Sequence, residues 1–167
     1  TYLMQIIIKN KDTLLFGQFK MKCVIGKKGI TSNKLEGDWK TPKGTYSLGP
    51  LYFRKDRIKY IETKLQKKII KKNIGWCDDV DSKYYNQPIK ISKKKIRHEK
   101  LFRSNHIYDL IIPIKYNFEN PIKNKGSAIF IHLTNNYKKT QGCIDLNKKD
   151  LMILLKLINK NTKIKIA

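Results

Sequence analysis

Hydrophobic residues in the first fifty positions come in short runs that turn-forming residues separate. Residues 3–8 and 14–25 have the β-branched and aromatic content typical of strands, and the polar residues 9–12 lie between them. We expect these two runs to pair as a β-hairpin. A polar loop over residues 26–43 then leads through a Pro-Lys-Gly turn into a further strand at residues 45–48.

The middle of the chain has a less regular pattern. Residues 52–103 alternate charged and aromatic side chains without a single period, so we expect irregular structure with short strands there. Residues 107–116 return to strand-like composition. Pro113 within that run has no backbone N–H to donate, which favours an edge position or a bulge. The predicted fold class is mainly β.

The densest apolar run covers residues 127–133. A two-residue period places Ala128, Phe130 and His132 on one face of a strand and the apolar Ile129, Ile131 and Leu133 on the other. A strand that is apolar on both faces is typical of a central, covered position. His132 would lie at the end of this strand, where a side chain can meet solvent. The alternative is a histidine that is hydrogen-bonded within the core.

The pattern after residue 146 changes to that of a capped helix. Asn147 can accept hydrogen bonds from first-turn amides, and Asp150 stands where a capping box places its acidic partner. An apolar stripe follows, formed by Leu151, Leu154, Leu155 and Ile158. Cys143 would then lie just before the helix, where N-terminal amides favour an anion and would lower the pKa of the thiol.

Length and composition favour one folded unit. The 167 residues, of which 40% are hydrophobic, fit a single domain over residues 1–167. The formal net charge of +24 would ordinarily suggest nucleic acid, but only four of the 37 basic residues are arginine, and arginine is the side chain preferred for base and phosphate recognition. We therefore expect a basic, solvated surface that attracts acidic polymers weakly, and no specific nucleic-acid partner.

The cysteines do not indicate a disulfide framework. There are three of them, Cys23, Cys77 and Cys143, and no CxxC pair occurs. A zinc site built from Cys77, Cys143, His98 and His132 is disfavoured because these residues lack short paired spacing. No run reaches the roughly 18 to 20 apolar residues of a membrane span, and no signal peptide is evident at the start of the sequence.

Cys143 and His132 together suggest nucleophilic chemistry. Attack on an acyl group needs a thiolate, an imidazole that takes its proton and returns it to the leaving amine, and N–H groups that hold the oxyanion. Gly142 has no Cβ and lets the backbone approach a substrate carbonyl closely. The candidate oxyanion-hole amides are those of Gly142, Cys143 and Ile144.

The segment from His132 to Thr140-Gln141-Gly142-Cys143 resembles the signature of the L,D-transpeptidases of the YkuD type, also called ErfK/YbiS: a strand-borne His followed by a Ser/Thr-x-Gly-Cys turn. The stretch GDWKTPKGTY at residues 37–46 is similar to an upstream element of that family. Residues 75–86, 98–103 and 125–132 are similar to a branch whose cysteine motif has the form T-x-G-C-[VI]-A-L. The resemblance covers nearly the whole chain.

This resemblance implies a β-sandwich-like catalytic domain with a helix after the cysteine, Cys143 as nucleophile and His132 as base. The implied reaction attacks the L-to-D bond of a peptidoglycan stem tetrapeptide, releases D-alanine and passes the acyl group to an amine of a second stem. No metal or organic cofactor is implied. Thr140, Gln141, His98 and Trp76 are the candidate substrate contacts, although a loop hydrogen bond for His98 and simple burial for Trp76 are the alternatives.

Three positions depart from the best-known members, which have Gly, His and Arg where this chain has Leu133, Gln141 and Asp145. The related branch commonly has Ala at the last position. An acidic residue there would repel a substrate carboxylate and oppose thiolate formation. Asp145 therefore bears on substrate choice and activity.

Two further functions stay open on the sequence. The same site could use water as acceptor, as an L,D-carboxypeptidase or endopeptidase does, or the domain could bind cell wall without catalysis. The substrate class implies the periplasm or cell envelope, with a cytoplasmic role on recycled wall peptides as the alternative. The sequence does not indicate an oligomeric state.

Overall fold

A computed structural model describes residues 4–92 and 96–167 of the chain. Leu3, which begins the first predicted run, and residues 93–95 in the middle region lie outside the described residues. In chain order the elements are β1 (Gln5–Lys9), β2 (Thr13–Phe16), β3 (Phe19–Lys22), β4 (Ile30–Thr31), β5 (Thr41–Pro42), β6 (Gly44–Ser47), β7 (Leu51–Phe53), β8 (Lys67–Ile69), β9 (Ile74–Cys77), β10 (Pro88–Lys90), β11 (His98–Lys100), β12 (Leu110–Pro113), β13 (Phe130–Leu133), β14 (Ile144–Leu146), α1 (Lys148–Leu157) and β15 (Lys163–Ile166).

The strands form two large sheets and two small ones within the described ranges. The first large sheet has the order β3-β2-β1-β15-β6, and the second has the order β14-β13-β12-β7-β8. A three-stranded sheet, β10-β9-β11, and the pair β4-β5 complete the set. The fold is mainly β with one helix late in the described chain, as the sequence predicts.

The hydrophobic core lies between the two large sheets. Ile6 and Ile8 of β1 pack into the same cluster as Ile131 and Leu133 of β13, and α1 contributes leucines to it. A second cluster covers the opposite face of β13, where Phe130 packs with Trp76 of the small sheet. The centre of the second large sheet is therefore buried on both faces, which is the sandwich-like layering that the resemblance implies.

The first predicted hairpin is confirmed in part. β1 and β2 pair antiparallel, with Ile8 opposite Leu14. The predicted run over residues 14–25 is not one strand, because Gly17 adopts a positive φ of 58° and turns the chain into the antiparallel strand β3. A left-handed backbone conformation is one that glycine adopts at little cost. Cys23 lies just beyond β3 and is fully buried.

The strand-like runs later in the chain meet the expected pattern, with one correction. β13 lies between β12 and β14, so its predicted central position is confirmed. Pro113 is on neither an edge strand nor a bulge: β12 is itself central, and Pro113 is its last residue, paired with Phe130. At a strand end a missing N–H interrupts little of the hydrogen-bond ladder.

The helix is capped as predicted. The Asn147 side chain accepts a hydrogen bond from the Asp150 N–H at 2.8 Å, and it donates from Nδ2 to the Asp150 carboxylate at 3.1 Å. The stripe of Leu151, Leu154, Leu155 and Ile158 is fully buried. Within residues 4–92 and 96–167, no helix is both long enough and apolar enough to span a membrane.

Candidate active site

Strand register brings the candidate nucleophile and base together. β13 and β14 pair in parallel, with Ile131 opposite Ile144 and His132 opposite Asp145. Because side chains alternate along a strand, His132 and Asp145 point to the face opposite that of Ile131 and Ile144, and Cys143, one residue before Ile144, shares their face. Three chemically active side chains thus converge on one side of the sheet.

These side chains open into a cleft of about 460 Å³. Both acidic and basic groups line it. The charged and polar lining residues include Lys34, Glu36, Asp78, His98, Glu99, Lys100, Arg103, His132, Asn135, Lys138, Lys139, Thr140, Gln141, Cys143 and Asp145. A cleft that presents both signs of charge suits a zwitterionic ligand better than a uniformly anionic one.

Cys143 is held by the start of β13 and the residues just before it. Its Sγ lies 3.2 Å from the Ala128 carbonyl oxygen, to which the thiol donates, and it accepts from the Phe130 N–H at 3.4 Å. Burial, followed by the negative charges of Glu99 and Asp145, raises the pKa of this thiol well above its usual value. The structure therefore represents a resting site with a protonated cysteine.

The predicted activation of Cys143 by the helix is wrong. The three residues of β14 and the cap residue Asn147 lie between the cysteine and α1, which begins only at Lys148. Three strand residues span roughly 10 Å, and the favourable effect of helix amides fades within the first turn. Burial instead raises the pKa of the thiol, opposite to the direction expected from the sequence.

The turn before the cysteine is fixed by hydrogen bonds from two directions. Thr140 Oγ1 donates to the Cys143 carbonyl at 2.6 Å and accepts from the Gly142 N–H at 3.0 Å. Thr41 Oγ1 donates to the Gly142 carbonyl at 2.8 Å. Gly142 has a φ of 147°, and a Cβ there would stand 2.9 Å from the Lys40 carbonyl oxygen. Glycine is thus required at position 142 because the Lys40 backbone approaches it closely.

Two of the three amides predicted for the oxyanion hole are directed at other parts of the protein. The Gly142 N–H is taken by Thr140. The Asp145 N–H donates to the Val24 carbonyl at 2.9 Å, so the Ile144 N–H, which points the opposite way, is directed towards β13. Of the three candidate amides, only the Cys143 N–H has no partner in these contacts among the described residues. It is therefore the amide that could bind an oxyanion.

The imidazole of His132 is oriented by backbone and packed by an aromatic ring. Its Nδ1 lies 2.9 Å from the Leu133 carbonyl oxygen, which can only accept, so Nδ1 carries the proton. The Tyr108 ring meets the imidazole edge to face at a centroid distance of 5.0 Å. Nε2 is therefore the nitrogen that can take a proton from a thiol.

Asp145 lies against that same nitrogen. Its Oδ1 is 3.0 Å from His132 Nε2, and both side chains are only 6–7% exposed. The direction of approach does not meet hydrogen-bond geometry, so Oδ1 has no hydrogen-bond partner among the described residues. Burial lowers the pKa of His132 to about 4 and raises the pKa of Asp145 to about 8. Burial thus disfavours the charged form of both groups.

The predicted substrate contacts divide into two groups. Thr140, Gln141 and His98 line the cleft. The Nδ1 of His98 donates to the Ile96 carbonyl at 2.7 Å, so its Nε2 takes no part in this hydrogen bond. Trp76 does not line the cleft: it is 3% exposed and its Nε1 donates to the buried Asn86 Oδ1 at 2.9 Å. The alternative of simple burial therefore applies to Trp76. Cys77 is likewise fully buried.

One group of cleft residues has no counterpart in the sequence predictions. Tyr108 donates from its hydroxyl to Glu99 at 2.8 Å, and Arg103 donates to the same carboxylate at 3.2 Å. The Arg103 guanidinium also lies over the Tyr108 ring, 4.3 Å from its centroid. Tyr108 thus supports the imidazole of His132 from one side, and Glu99 and Arg103 hold Tyr108 in place. The three residues lie on β11 and in the loop that follows it, and the packing of this loop against β13 is a non-local property that a sequence pattern does not predict.

Comparison with known proteins gives one match. A family model described as "YkuD: L,D-transpeptidase catalytic domain" matches residues 3–166. No curated protein matches the chain, and no solved structure does.

Proposed function

Because this chain belongs to the YkuD family of L,D-transpeptidase catalytic domains, we propose that it is a cysteine-dependent peptidoglycan L,D-transpeptidase. It acts as a single catalytic domain over residues 1–167. The observation that carries the proposal is the convergence of Cys143 and His132 on one face of the paired strands β13 and β14, at a shared cleft. A wall-binding module has no need for a thiol and an imidazole so placed.

The proposed acylation step follows from the contacts of these two residues. The thiol proton passes from Cys143 Sγ to His132 Nε2, and the thiolate attacks the carbonyl carbon of the L-to-D bond in a stem tetrapeptide. The Cys143 amide holds the oxyanion. His132 then returns the proton to the leaving amine, D-alanine departs, and a thioester remains on Cys143.

The second step transfers the acyl group to an amine. The acceptor amine of a second stem peptide gives a proton to His132 Nε2 and attacks the thioester carbon. The carbon–sulfur bond breaks, and His132 returns the proton to the sulfur, so that Cys143 leaves as a thiol. Stem peptides carry both carboxylates and amines, and the cleft presents Lys138 and Lys139 as well as Glu36 and Asp78. Thr140, Gln141 and His98 are the proposed substrate contacts on its lining.

The proposed place of action is the cell envelope. Peptidoglycan is an anionic polymer, and the basic surface of this protein, with a formal net charge of +24, favours its retention there. Activity on intact wall material should therefore fall with added salt more steeply than activity on a small soluble substrate.

Product analysis tests the proposed reaction directly. The protein is incubated with a purified disaccharide-tetrapeptide, alone and with an added D-amino acid, and products are identified by mass spectrometry. We expect a cross-linked dimer or a D-amino-acid exchange product, and an acylated Cys143 in the intact-mass spectrum. Cys143→Ala should abolish both, whereas Cys77→Ser, which changes a buried thiol outside the cleft, should retain them once its fold is verified by circular dichroism.

The other outcomes overturn the proposal in distinct ways. Formation of tripeptide alone would assign the L,D-carboxypeptidase reaction, with water as acceptor. Absence of turnover with an intact Cys143 that still reacts with iodoacetamide would assign a different acyl substrate or a binding role.

A further inference from the structure

The contact between Asp145 and His132 is the feature of the cleft that the proposed reaction does not yet use. Leu133 accepts the Nδ1 proton, so the reactive nitrogen of His132 is Nε2. It is this nitrogen, and not Nδ1, that lies 3.0 Å from Asp145 Oδ1. A carboxyl group that only oriented the imidazole would be expected on the Nδ1 side, where an acidic residue holds the ring in a catalytic triad.

The geometry of this contact indicates that Asp145 acts through charge. Oδ1 has no hydrogen-bond partner among the described residues although Nε2 is so near, because it stands aside from the direction in which Nε2 would donate or accept. Nε2 is therefore not engaged by a hydrogen bond to Asp145. Both side chains are more than nine-tenths buried, so solvent screens the interaction little.

We propose that Asp145 is a positioning residue whose charge state sets the basicity of His132 Nε2 and so switches Cys143 between a resting and a reactive form. The proposal rests on the proposed roles of Cys143 and His132. With a neutral Asp145, the buried imidazole is a weak base and the thiol stays protonated. When Asp145 releases its proton to solvent, the carboxylate stabilises an imidazolium, and the proton moves from Sγ to Nε2 to leave a thiolate.

Several titratable and charged groups lie near Asp145 or near its two reactive neighbours. His132 faces it from β13, and Cys143 precedes it in the chain. The remaining neighbours are Glu99 of β11 and Arg103 and Tyr108 beyond it, which pack around the imidazole and the thiol, and Cys23 and Lys139 on the Val24 side. Burial raises the pKa of Asp145 to about 8, so its titration falls in a range that is open to experiment.

Two effects of Asp145 on the thiol oppose each other. The carboxylate directly raises the pKa of Cys143 by repulsion, which would slow thiolate formation. It also strengthens His132 as a proton acceptor, which would speed it. The 3.0 Å contact with Nε2 is direct, so we expect the second effect to dominate. The two effects predict opposite signs for a variant that cannot ionise.

Alkylation of Cys143 by iodoacetamide between pH 6 and 9.5 tests the proposal without any acyl substrate. Peptide mapping by mass spectrometry follows this cysteine alone. In the wild type we expect a rise in rate near pH 8. In Asp145→Asn, which keeps the side-chain size, we expect this rise to be lost and the rate at pH 9 to be about tenfold lower, the effect of one pKa unit on the thiolate fraction. Asp81→Asn, at an exposed aspartate, should behave as the wild type.

A double-variant cycle separates this role from a merely structural one. If Asp145 acts through His132, Asp145→Asn should not slow alkylation in a His132→Ala background, where only the direct repulsion of the thiolate remains and its loss should raise the rate. An unchanged or faster rate in Asp145→Asn, or an equal slowing with and without His132, would overturn the inference. A failure of the tetrapeptide to react, with the alkylation results as expected, would instead count against the proposed function alone.

Discussion

The two faces of the paired strands β13 and β14 differ although the same few residues form both. Ile131, Leu133, Ile144 and Leu146 on one face are closed into the core between the two large sheets. Phe130, His132, Cys143 and Asp145 alternate with them on the other face, and the last three meet the cleft. One face stabilises the fold by apolar burial, and the other holds ionisable groups whose charged forms are disfavoured by burial. The reactive face depends on the apolar face for its geometry.

The largest effect should come from removing the base on the cleft face. His132→Ala should lower the rate of acyl transfer by roughly 10²- to 10⁴-fold, the usual contribution of a positioned acid–base group. His106→Ala, at an exposed histidine that contacts the Thr134 carbonyl, is the matched control and should retain activity. Steady-state kinetics on the tetrapeptide measures both. Equal activity in the His132 variant would show that another group serves as base.

A change on the apolar face should separate stability from chemistry. Ile131→Ala removes a fully buried side chain and should lower the free energy of unfolding by about 2–5 kcal/mol. The activity of the fraction that stays folded should change much less than in the His132 variant. Urea denaturation measures the first quantity, with Ile122→Ala at an exposed position as control. A loss of activity per folded molecule as large as that of His132→Ala would contradict the separation of the two faces.

A smaller effect should appear in the dependence of stability on pH. Asp145 keeps its proton in the folded state up to about pH 8, whereas the unfolded chain releases it near pH 3.8. The folded state thus binds the extra proton, and stability falls as pH rises through this window. Below pH 6.5 the lowered pKa of His132 acts in the opposite direction, so the fall should be clearest between pH 6.5 and 8.

The Asp145→Asn variant isolates this contribution. The wild type should lose up to about 2 kcal/mol of unfolding free energy relative to the variant between pH 6.5 and pH 8, since 1.5 pH units correspond to that amount. Urea denaturation at the two pH values provides the measurement. A difference between the two proteins that does not vary with pH would mean that Asp145 does not hold a proton in the folded state.

Local pattern predicted the features that depend on neighbours in sequence. The alternation of residues 127–133, the cap at Asn147 and the leucine stripe of the helix all appear in the structure. Each reflects a periodicity or a hydrogen bond within a few residues. The combination of His132 with a Gly-Cys turn could also be recognised in the sequence. The histidine lies in a clear strand pattern, and the turn lies shortly before a clear helix cap.

The features that the sequence did not predict depend on strand register and on burial. β14 has only three residues, and a pattern of that length does not distinguish a short strand from the segment that leads into a helix. The expected effect of the helix on the pKa of Cys143 was therefore wrong. The 3.0 Å contact of Asp145 with His132 arises because two parallel strands pair at one register, which is a non-local property. The burial of Trp76 depends on a small sheet built from three separated segments.

The pairing of β1 with β15 has a consequence for how the protein is made. These strands lie side by side in the middle of the first large sheet, with Gln5 opposite Lys163. During synthesis β1 leaves the ribosome well before β15, because more than 150 residues separate the two strands. Contacts between such distant segments form slowly because a large loop must first close. Until then the edges of β1 and β6 that β15 later covers remain unpaired, and we expect the nascent chain to depend on chaperones during this interval.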